Sequence, residues 1–314
     1  MRRALRLARR LIGPVLVVLV AVFLGRALYT GWTEVQEYEW RFDLPYLLLS
    51  VALISLYYLQ QWGGWRLVMR SFGDPLYRSE SMLIWFSTIL GRYVPGSVAM
   101  VVGRMEMCRE RGIPRATTFA SLVYENALIL LTALIIAAAS VPFWPQFPYE
   151  EYALLLAVLA PFCLFSLHPA VFGRLANAAL RRANRDPLET TLPFGKVLAL
   201  IPYYLGGWVL LGLGFASLAA SITVVRPGDL ALLVGGYAFA WEVGFLSLVT
   251  PSGLGVKEVV LTAITNLAFP LPVAAALVIA SRLWQTLAEV AAAAIVWVVA
   301  RRNRKRRLRE QEAV

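Results

Sequence analysis

Gly91-Arg92-Tyr93-Val94-Pro95-Gly96-Ser97 interrupts an apolar run that extends from 79 to 103, and its reading decides the fold. The run is long enough to cross about 30 Å of hydrocarbon. Pro95 lacks a backbone donor and Gly96 adds conformational freedom, so a helix entering this stretch stops there. Basic residues flank the run on both sides, with Arg66, Arg70 and Arg78 before it and Arg104, Arg109, Arg111 and Arg115 after it. Lys and Arg concentrate on the cytoplasmic side of membrane spans, which assigns both ends of this run to one face. A single span cannot begin and end on one side. The segment 79–107 is therefore read as a re-entrant helical hairpin, entering from the cytoplasm and turning at Pro95-Gly96. Irregular backbone at membrane depth is tolerated only where protein or a water-filled cavity covers it.

The rest of the chain supports a bilayer setting. Of its 314 residues 59% are hydrophobic and 16% charged, and the mean hydropathy is +0.66. Further apolar runs occupy 11–28, 45–69, 117–140, 152–168, 197–224, 229–250, 253–268 and 273–300. They are continuous, whereas a β-barrel needs short alternating segments. The net charge of +11 does not indicate nucleic-acid binding, because the excess basic residues sit beside apolar segments. Met1 to Arg10 and the run 11–28 resemble a signal peptide, but the run is too long for one and is read as a retained first span.

Loop charges then set the topology. Arg2, Arg3, Arg6, Arg9 and Arg10 place the N-terminus in the cytoplasm, and Glu34, Glu37, Glu39 and Asp43 mark an external loop. Val141 to Glu151 is external. The segment 169–196, with Arg174, Arg181, Arg182, Arg185 and Lys196, is a cytoplasmic connection whose first half suits an amphipathic surface helix. The basic tail 301–314 is cytoplasmic, which makes Phe269-Pro270-Leu271-Pro272 external. The segment 229–268, broken at Thr250 to Gly255, thus starts and ends outside, as a second hairpin of opposite orientation. An eight-span count, with both arms of this hairpin crossing fully, is the competing description.

The expected fold is an all-α polytopic membrane protein of two inverted-topology repeats, with six full spans and two re-entrant helical hairpins. Repeat one covers 1–140 and repeat two 152–300, within a single membrane domain 1–314. Trp85 lies ten residues before Pro95, and Trp241 the same distance before Pro251. Paired broken helices in inverted repeats are a transporter design, with the substrate site at the repeat interface near the midplane.

Charged residues within a membrane are costly and mark function, so those beside the two breaks are the first candidates. The substrate-binding candidates are Arg92, Tyr93, Pro95, Gly96 and Ser97 at the first break, and Pro251, Ser252, Gly253, Lys257 and Glu258 at the second. Arg92 is either a bidentate binder of phosphate or carboxylate, or a structural partner for Glu125 or another buried carboxylate. Lys257 and Glu258 are adjacent on a helix and point apart, so one is expected to face a cavity while the other ties down the opposite half. Supporting polar residues are Arg104, Glu125, Asn126, Glu242, Arg282, Gln285 and Glu289. Arg104 and Glu106 are read as a solvated interfacial pair. Arg282, Gln285 and Glu289 form a polar stripe by their spacing, either a helix-helix clamp or a substrate or proton path. Trp62, Trp65, Trp144 and Tyr149 are read as interfacial anchors.

Cys108 and Cys163 lie in different segments and suggest no disulfide; His168 precedes Pro169 and has no metal-ligand partner. Neither a phosphate-binding glycine loop nor a nucleophile elbow occurs, so neither an ATPase nor another enzyme is expected, and no cofactor or metal.

Three stretches, GRYVPGSVAMVVGR (Gly91 to Arg104), SLVYEN (Ser121 to Asn126) and TPSGLGVKE (Thr250 to Glu258), resemble the transmembrane region of lysylphosphatidylglycerol synthases, a flippase-like family. Members usually carry Arg rather than Lys before the last glutamate, and the lysine here weakens bidentate anion binding at that position. In the two-part synthases the membrane region is associated with moving a modified phospholipid, while a separate soluble domain makes it. The chain ends shortly after its last span, so a stand-alone member without synthase activity is expected. The resemblance implies membrane lipids as ligands, anionic phospholipid or polyprenyl-phosphate-linked, in a bacterial-type cytoplasmic membrane. Three functions remain open on the sequence: a lipid flippase, a non-transporting partner of a lipid-modifying or glycan-assembly enzyme, and an intramembrane lipid transferase.

Overall fold

The computed structural model describes residues 38, 40–73, 76–93, 98–145, 171, 173–174, 177–178, 181, 191–247 and 255–312. The expected spans 11–28 and 152–168 lie outside the described residues, as do Cys163, His168, Tyr149 and the turn residues Pro95, Gly96, Ser97, Pro251, Ser252 and Gly253. Eight α-helices and no strand occur among the described residues. They are α1 (Leu44–Ser71), α2 (Arg78–Ile89), α3 (Val98–Arg109), α4 (Arg115–Ser140), α5 (Phe194–Ile222), α6 (Leu230–Leu246), α7 (Val256–Thr265) and α8 (Leu271–Glu312). The described positions between 171 and 181 are also helical.

Local sequence explains the helix ends. The Asp43 carboxylate accepts from Tyr46 N ahead of α1, with Pro45 in the first turn, where its missing donor costs nothing. Glu80 accepts from Tyr77 N at 3.0 Å to start α2. Proline precedes α4 (Pro114) and α5 (Pro193). Gly255 has φ of +95°, a conformation that side chains resist, and its N–H donates to Glu258 at 2.6 Å to open α7.

Among the described residues five helical stretches are long and apolar enough to cross a membrane: Leu44–Ser71, Arg115–Phe143, Phe194–Ile222, Pro227–Leu246 and Leu271–Asn303. Four of them coincide with expected full spans, and the protein is an integral membrane protein built of helices. The fifth is α6 with the 3-10 turn Pro227–Asp229.

The remaining helices are short. α2 and α3 have 12 residues each, about 18 Å of helix, and α7 has 10, about 15 Å. None reaches across hydrocarbon about 30 Å thick, and each packs instead on a neighbour. α2 and α3 are antiparallel. At the closed end a Cβ on Gly91 would stand 2.5 Å from the Met100 backbone nitrogen. One turn back Gly103 faces Thr88, and at the open end Arg111 Nε lies 3.5 Å from Glu80 Oε1. α6 and α7 pair in the same way, with Gly244 against Lys257 and Gly236 against Ile264. In the second pair α6 with its preceding turn is long enough to cross a membrane, whereas α7 is not.

The largest helix interface joins α1 to α5. Small residues let the backbones approach, as Gly63 and Gly64 lie under the rings of Tyr203 and Tyr204. Gln60 Nε2 donates to the Tyr203 carbonyl at 2.7 Å, and Tyr203 OH returns a bond to the Gln60 carbonyl at 2.9 Å. Around this seam the contacts come in pairs: α4 packs on α6 and α8 on α2, α5 on α6 and α1 on α2, α4 on α5 and α8 on α1, α3 on α4 and α7 on α8.

Trp62, Trp65 and Trp144 were expected at the lipid interface, but only 6%, 0% and 6% of each is exposed. Their indole N–H groups donate to Ser81, Ser121 and Ser140, so they are core residues: Trp62 and Trp65 join α1 to α2 and α4, and Trp144 bonds back to the end of α4. Trp297 has the anchoring character instead: it is exposed and carries the Arg301 guanidinium 3.7 Å from its ring centroid.

The close approach at Gly91 is testable. Gly91→Ala should lower stability by about 1–3 kcal/mol, because its Cβ meets backbone rather than a movable side chain. Gly206→Ala, with no atom within 4 Å, should leave the melting temperature in detergent unchanged or raised.

Candidate functional site

A buried polar network runs along one face of α8, between the closed ends of the two helical hairpins. Its centre is Glu289, which has no exposed surface. Glu289 Oε1 accepts from Tyr58 OH at 2.6 Å, from Arg92 Nη1 at 2.9 Å and from Gln285 Nε2 at 3.3 Å. Oε2 accepts from Tyr93 OH at 2.8 Å. The donors come from α1, from the 3-10 turn Leu90–Tyr93 that ends α2, and from α8 itself.

Gln285 continues the network, because an amide can donate through nitrogen while accepting through oxygen. Its Oε1 accepts from Lys257 Nζ at 2.9 Å and from Tyr237 OH at 3.1 Å. Lys257 Nζ also donates to Tyr237 OH at 2.8 Å and lies 4.1 Å from that ring's centroid. Beside it Glu258 ties Gly255 N to Arg282, whose Nη1 is 3.4 Å from Glu258 Oε1. The Arg282 guanidinium lies 5.6 Å from the Tyr93 ring centroid, which returns the network to the first hairpin.

The family model described as the lysylphosphatidylglycerol synthase TM region matches residues 10–293. The chain belongs to that family. No curated protein matches it.

Within this family member the polar stripe Arg282, Gln285 and Glu289 is a real feature, but its three residues have different partners. Of the two readings of Arg92, a buried carboxylate partner is present, and it is Glu289 rather than Glu125. Lys257 and Glu258 do diverge, forming no ion pair with each other among the described residues. Neither reaches the opposite half, contrary to expectation: Glu258 serves its own helix and α8, and Lys257 serves α6 and α8. The link between halves runs through Glu289. Asn126 bonds back to the Leu122 carbonyl of its own helix at 2.7 Å. Glu242 is half-buried on α6 and makes no ion pair among the described residues.

Arg104 overturns its expected reading. Its side chain is 2% exposed and donates to Glu125 Oε2 at 2.8 Å, not to Glu106. Trp85 Nε1 donates to the other oxygen of Glu125 at 3.2 Å, and Thr88 Oγ1 accepts from Arg104 Nε at 3.3 Å. The guanidinium lies over Trp65 and Trp85, 4.9 and 5.7 Å from their centroids. Burial follows from the hairpin: α3 folds back against α2 and α4, turning Arg104 inward while Glu106 points out. Glu106 pairs with Arg109 and with Arg115 Nη2, the latter at 2.5 Å. Those hydrogen bonds hold its exposed carboxyl well below the usual range, at about 2.

Tyr58, Tyr237 and Thr286 escaped the sequence reading, although the first two are central to the network. A hydroxyl on a membrane span needs a partner, and the tyrosine doublets Tyr57-Tyr58 and Tyr203-Tyr204 in otherwise apolar runs carried that signal.

Breaking a buried ion pair strands a charge, so Arg104→Ala should cost about 3–5 kcal/mol in thermal unfolding. Replacing both partners, Arg104→Met with Glu125→Met, should recover most of that loss, and Arg109→Ala, at an exposed pair, should change unfolding far less than Arg104→Ala does. The depressed Glu106 carboxyl stabilises above the unfolded value of 4.5 and loses that contribution only as pH falls towards about 2. Melting followed between pH 7 and pH 5, as round reference points for exposed carboxylates, should therefore not differ between native protein and Glu106→Gln by any growing margin.

Proposed function

We propose that this protein moves a polar-headed or anionic lipid between the leaflets of a bacterial-type cytoplasmic membrane, without covalent chemistry. Membership of a family named for a lipid synthase's membrane region supports lipid as the ligand. The observation that carries the reading is the buried network in which Arg92 and Tyr93 from one hairpin and Lys257 from the other converge on Gln285 and Glu289. Such groups are expensive within hydrocarbon and are retained where a polar headgroup must pass.

The two halves are proposed to be inverted repeats, each of three spans with a re-entrant hairpin between the second and the third. Exchange of α1 with α5, α2 with α6, α3 with α7 and α4 with α8 leaves the helix contacts unchanged, which supports this. The sequence order does too: Tyr57-Tyr58, Trp85 and Pro95 in one half match Tyr203-Tyr204, Trp241 and Pro251 in the other. The Glu80–Arg111 pair at the open end of the first hairpin suits a cytoplasmic entry, with both termini on that side. Rocking of one repeat against the other would expose the network to each leaflet in turn. A headgroup phosphate competes with Glu289 for Arg92, so binding itself loosens the tie between hairpin and α8.

Proteoliposomes that report loss of fluorescent lipid from the outer leaflet test this directly. Native protein should accelerate movement, and Arg92→Ala and Lys257→Ala should reduce it by about tenfold or more. The reading fails if native protein moves no lipid while both variants still complement a deletion strain. A new lipid species formed by protein alone would assign an enzyme instead. With Cys108 and Cys163 replaced, cysteines introduced at the exposed Glu110 and Pro270 should label from opposite sides of the membrane.

A further inference from the structure

The charges of the central network do not balance. With every group ionised, Arg92, Lys257 and Arg282 contribute three positive charges, and Glu258 and Glu289 two negative ones, which leaves one positive charge over among the described residues. Each carboxylate has an arginine as its ion-pair partner. Lys257 is the cation left over: it is 4% exposed, and no carboxylate lies at ion-pair distance among the described residues. Its bonds go to neutral oxygens of Tyr237 and Gln285, which use two of the three ammonium donors. The turn residues 94–97 and 248–254 carry no charge that could offset it.

A buried charge is tolerated when it is paired, so an ammonium with only neutral partners keeps its charge best when a counter-charge arrives beside it. Arg92 and Arg282 show where that charge enters, since their side chains keep 22% and 20% exposure whereas Lys257 is 4% exposed. The excess is one unit, which selects among headgroups. A phosphodiester carries a single negative charge, a phosphomonoester more than one, and an aminoacylated phosphodiester is neutral or positive.

We propose that the network binds the headgroup of a lipid phosphodiester bearing one net negative charge, with Lys257 as its charge partner and Arg92 and Arg282 at its entrance. The proposal rests on the lipid-transport reading for its ligand, and it adds the charge class. It also separates this protein from one adapted to a lysylated, cationic headgroup.

The test is competition for fluorescent phosphatidylglycerol on the full-length protein in phosphatidylcholine nanodiscs. Unlabelled phosphatidylglycerol should displace the probe at concentrations lower than phosphatidylcholine or lysylphosphatidylglycerol by about tenfold or more. Lys257→Met removes the charge and keeps the apolar stem, and should abolish that preference. Should Lys257→Met not fold, Arg282→Gln, which also brings the network to neutrality, should abolish it. Glu289→Gln raises the excess to two units and should turn the preference towards phosphatidic acid.

Equal displacement by lysylphosphatidylglycerol would overturn the proposal, as would a folded Lys257→Met protein that retains the preference. Displacement by soluble glycerophosphoglycerol as efficient as by the lipid would overturn the lipid assignment. Headgroup preference without movement between leaflets would remove transport and leave this assignment standing. Movement without preference would remove this assignment alone.

Discussion

A carboxylate that no solvent reaches organises the centre of this protein. Glu289 is fully buried, and its two oxygens accept from Tyr58, Arg92, Tyr93 and Gln285. In hydrocarbon an ionised carboxylate is tolerable only when donors and an opposite charge surround it, so these partners cannot drift apart cheaply. Their positions fix the rest. Arg92 and Tyr93 hold the closed end of the first hairpin against α8, Tyr58 holds α1 to the same helix, and Gln285 passes the constraint to Lys257 and the second hairpin. A packing defect anywhere in this set would leave a charge or a hydroxyl unsatisfied where water cannot replace the partner.

The Arg104–Glu125 pair has a different character. Its guanidinium is enclosed by Trp65 and Trp85, and both oxygens of Glu125 are occupied, which makes it a cross-link between α3 and α4. In the proposed two-fold arrangement its counterpart is the Glu258–Arg282 pair between α7 and α8, with acid and base exchanged. Each joins the second, short arm of a hairpin to the span that follows. Helices of 12 and 10 residues bury too little surface to hold their place alone, and a charged bond supplies direction as well as energy. The first pair is closed off by aromatic rings, whereas the second keeps Arg282 partly exposed beside the central network.

Much of the fold is legible in the order of residues. The Pro95-Gly96 and Pro251 breaks and the apolar run lengths locate the described long helices and the two pairs of helices that flank the breaks. Arg92, Lys257, Glu258, Gln285 and Glu289 are recognisable because polar groups stand out against apolar runs. The residues that mislead share one cause. Arg104 lies two residues from Glu106 and among other basic residues, so by sequence it belongs to the surface, and Trp62, Trp65 and Trp144 lie near span ends where aromatic residues commonly meet lipid headgroups. Each sits instead where a second helix covers it.

The sequence by itself determined that the chain crosses a bilayer as helices and where those helices break, because hydropathy and missing backbone donors act over a few neighbouring residues. Only the tertiary structure decided which charges meet. Arg92 and Glu289 are 197 positions apart, Tyr58 and Glu289 231, and nothing local distinguishes Glu289 from Glu125 as the partner of Arg92. That choice depends on which faces of distant helices come together. The GRYVPGS break therefore announces a turn in the chain, and the packing of α8 across its closed end turns Arg92 into part of a site.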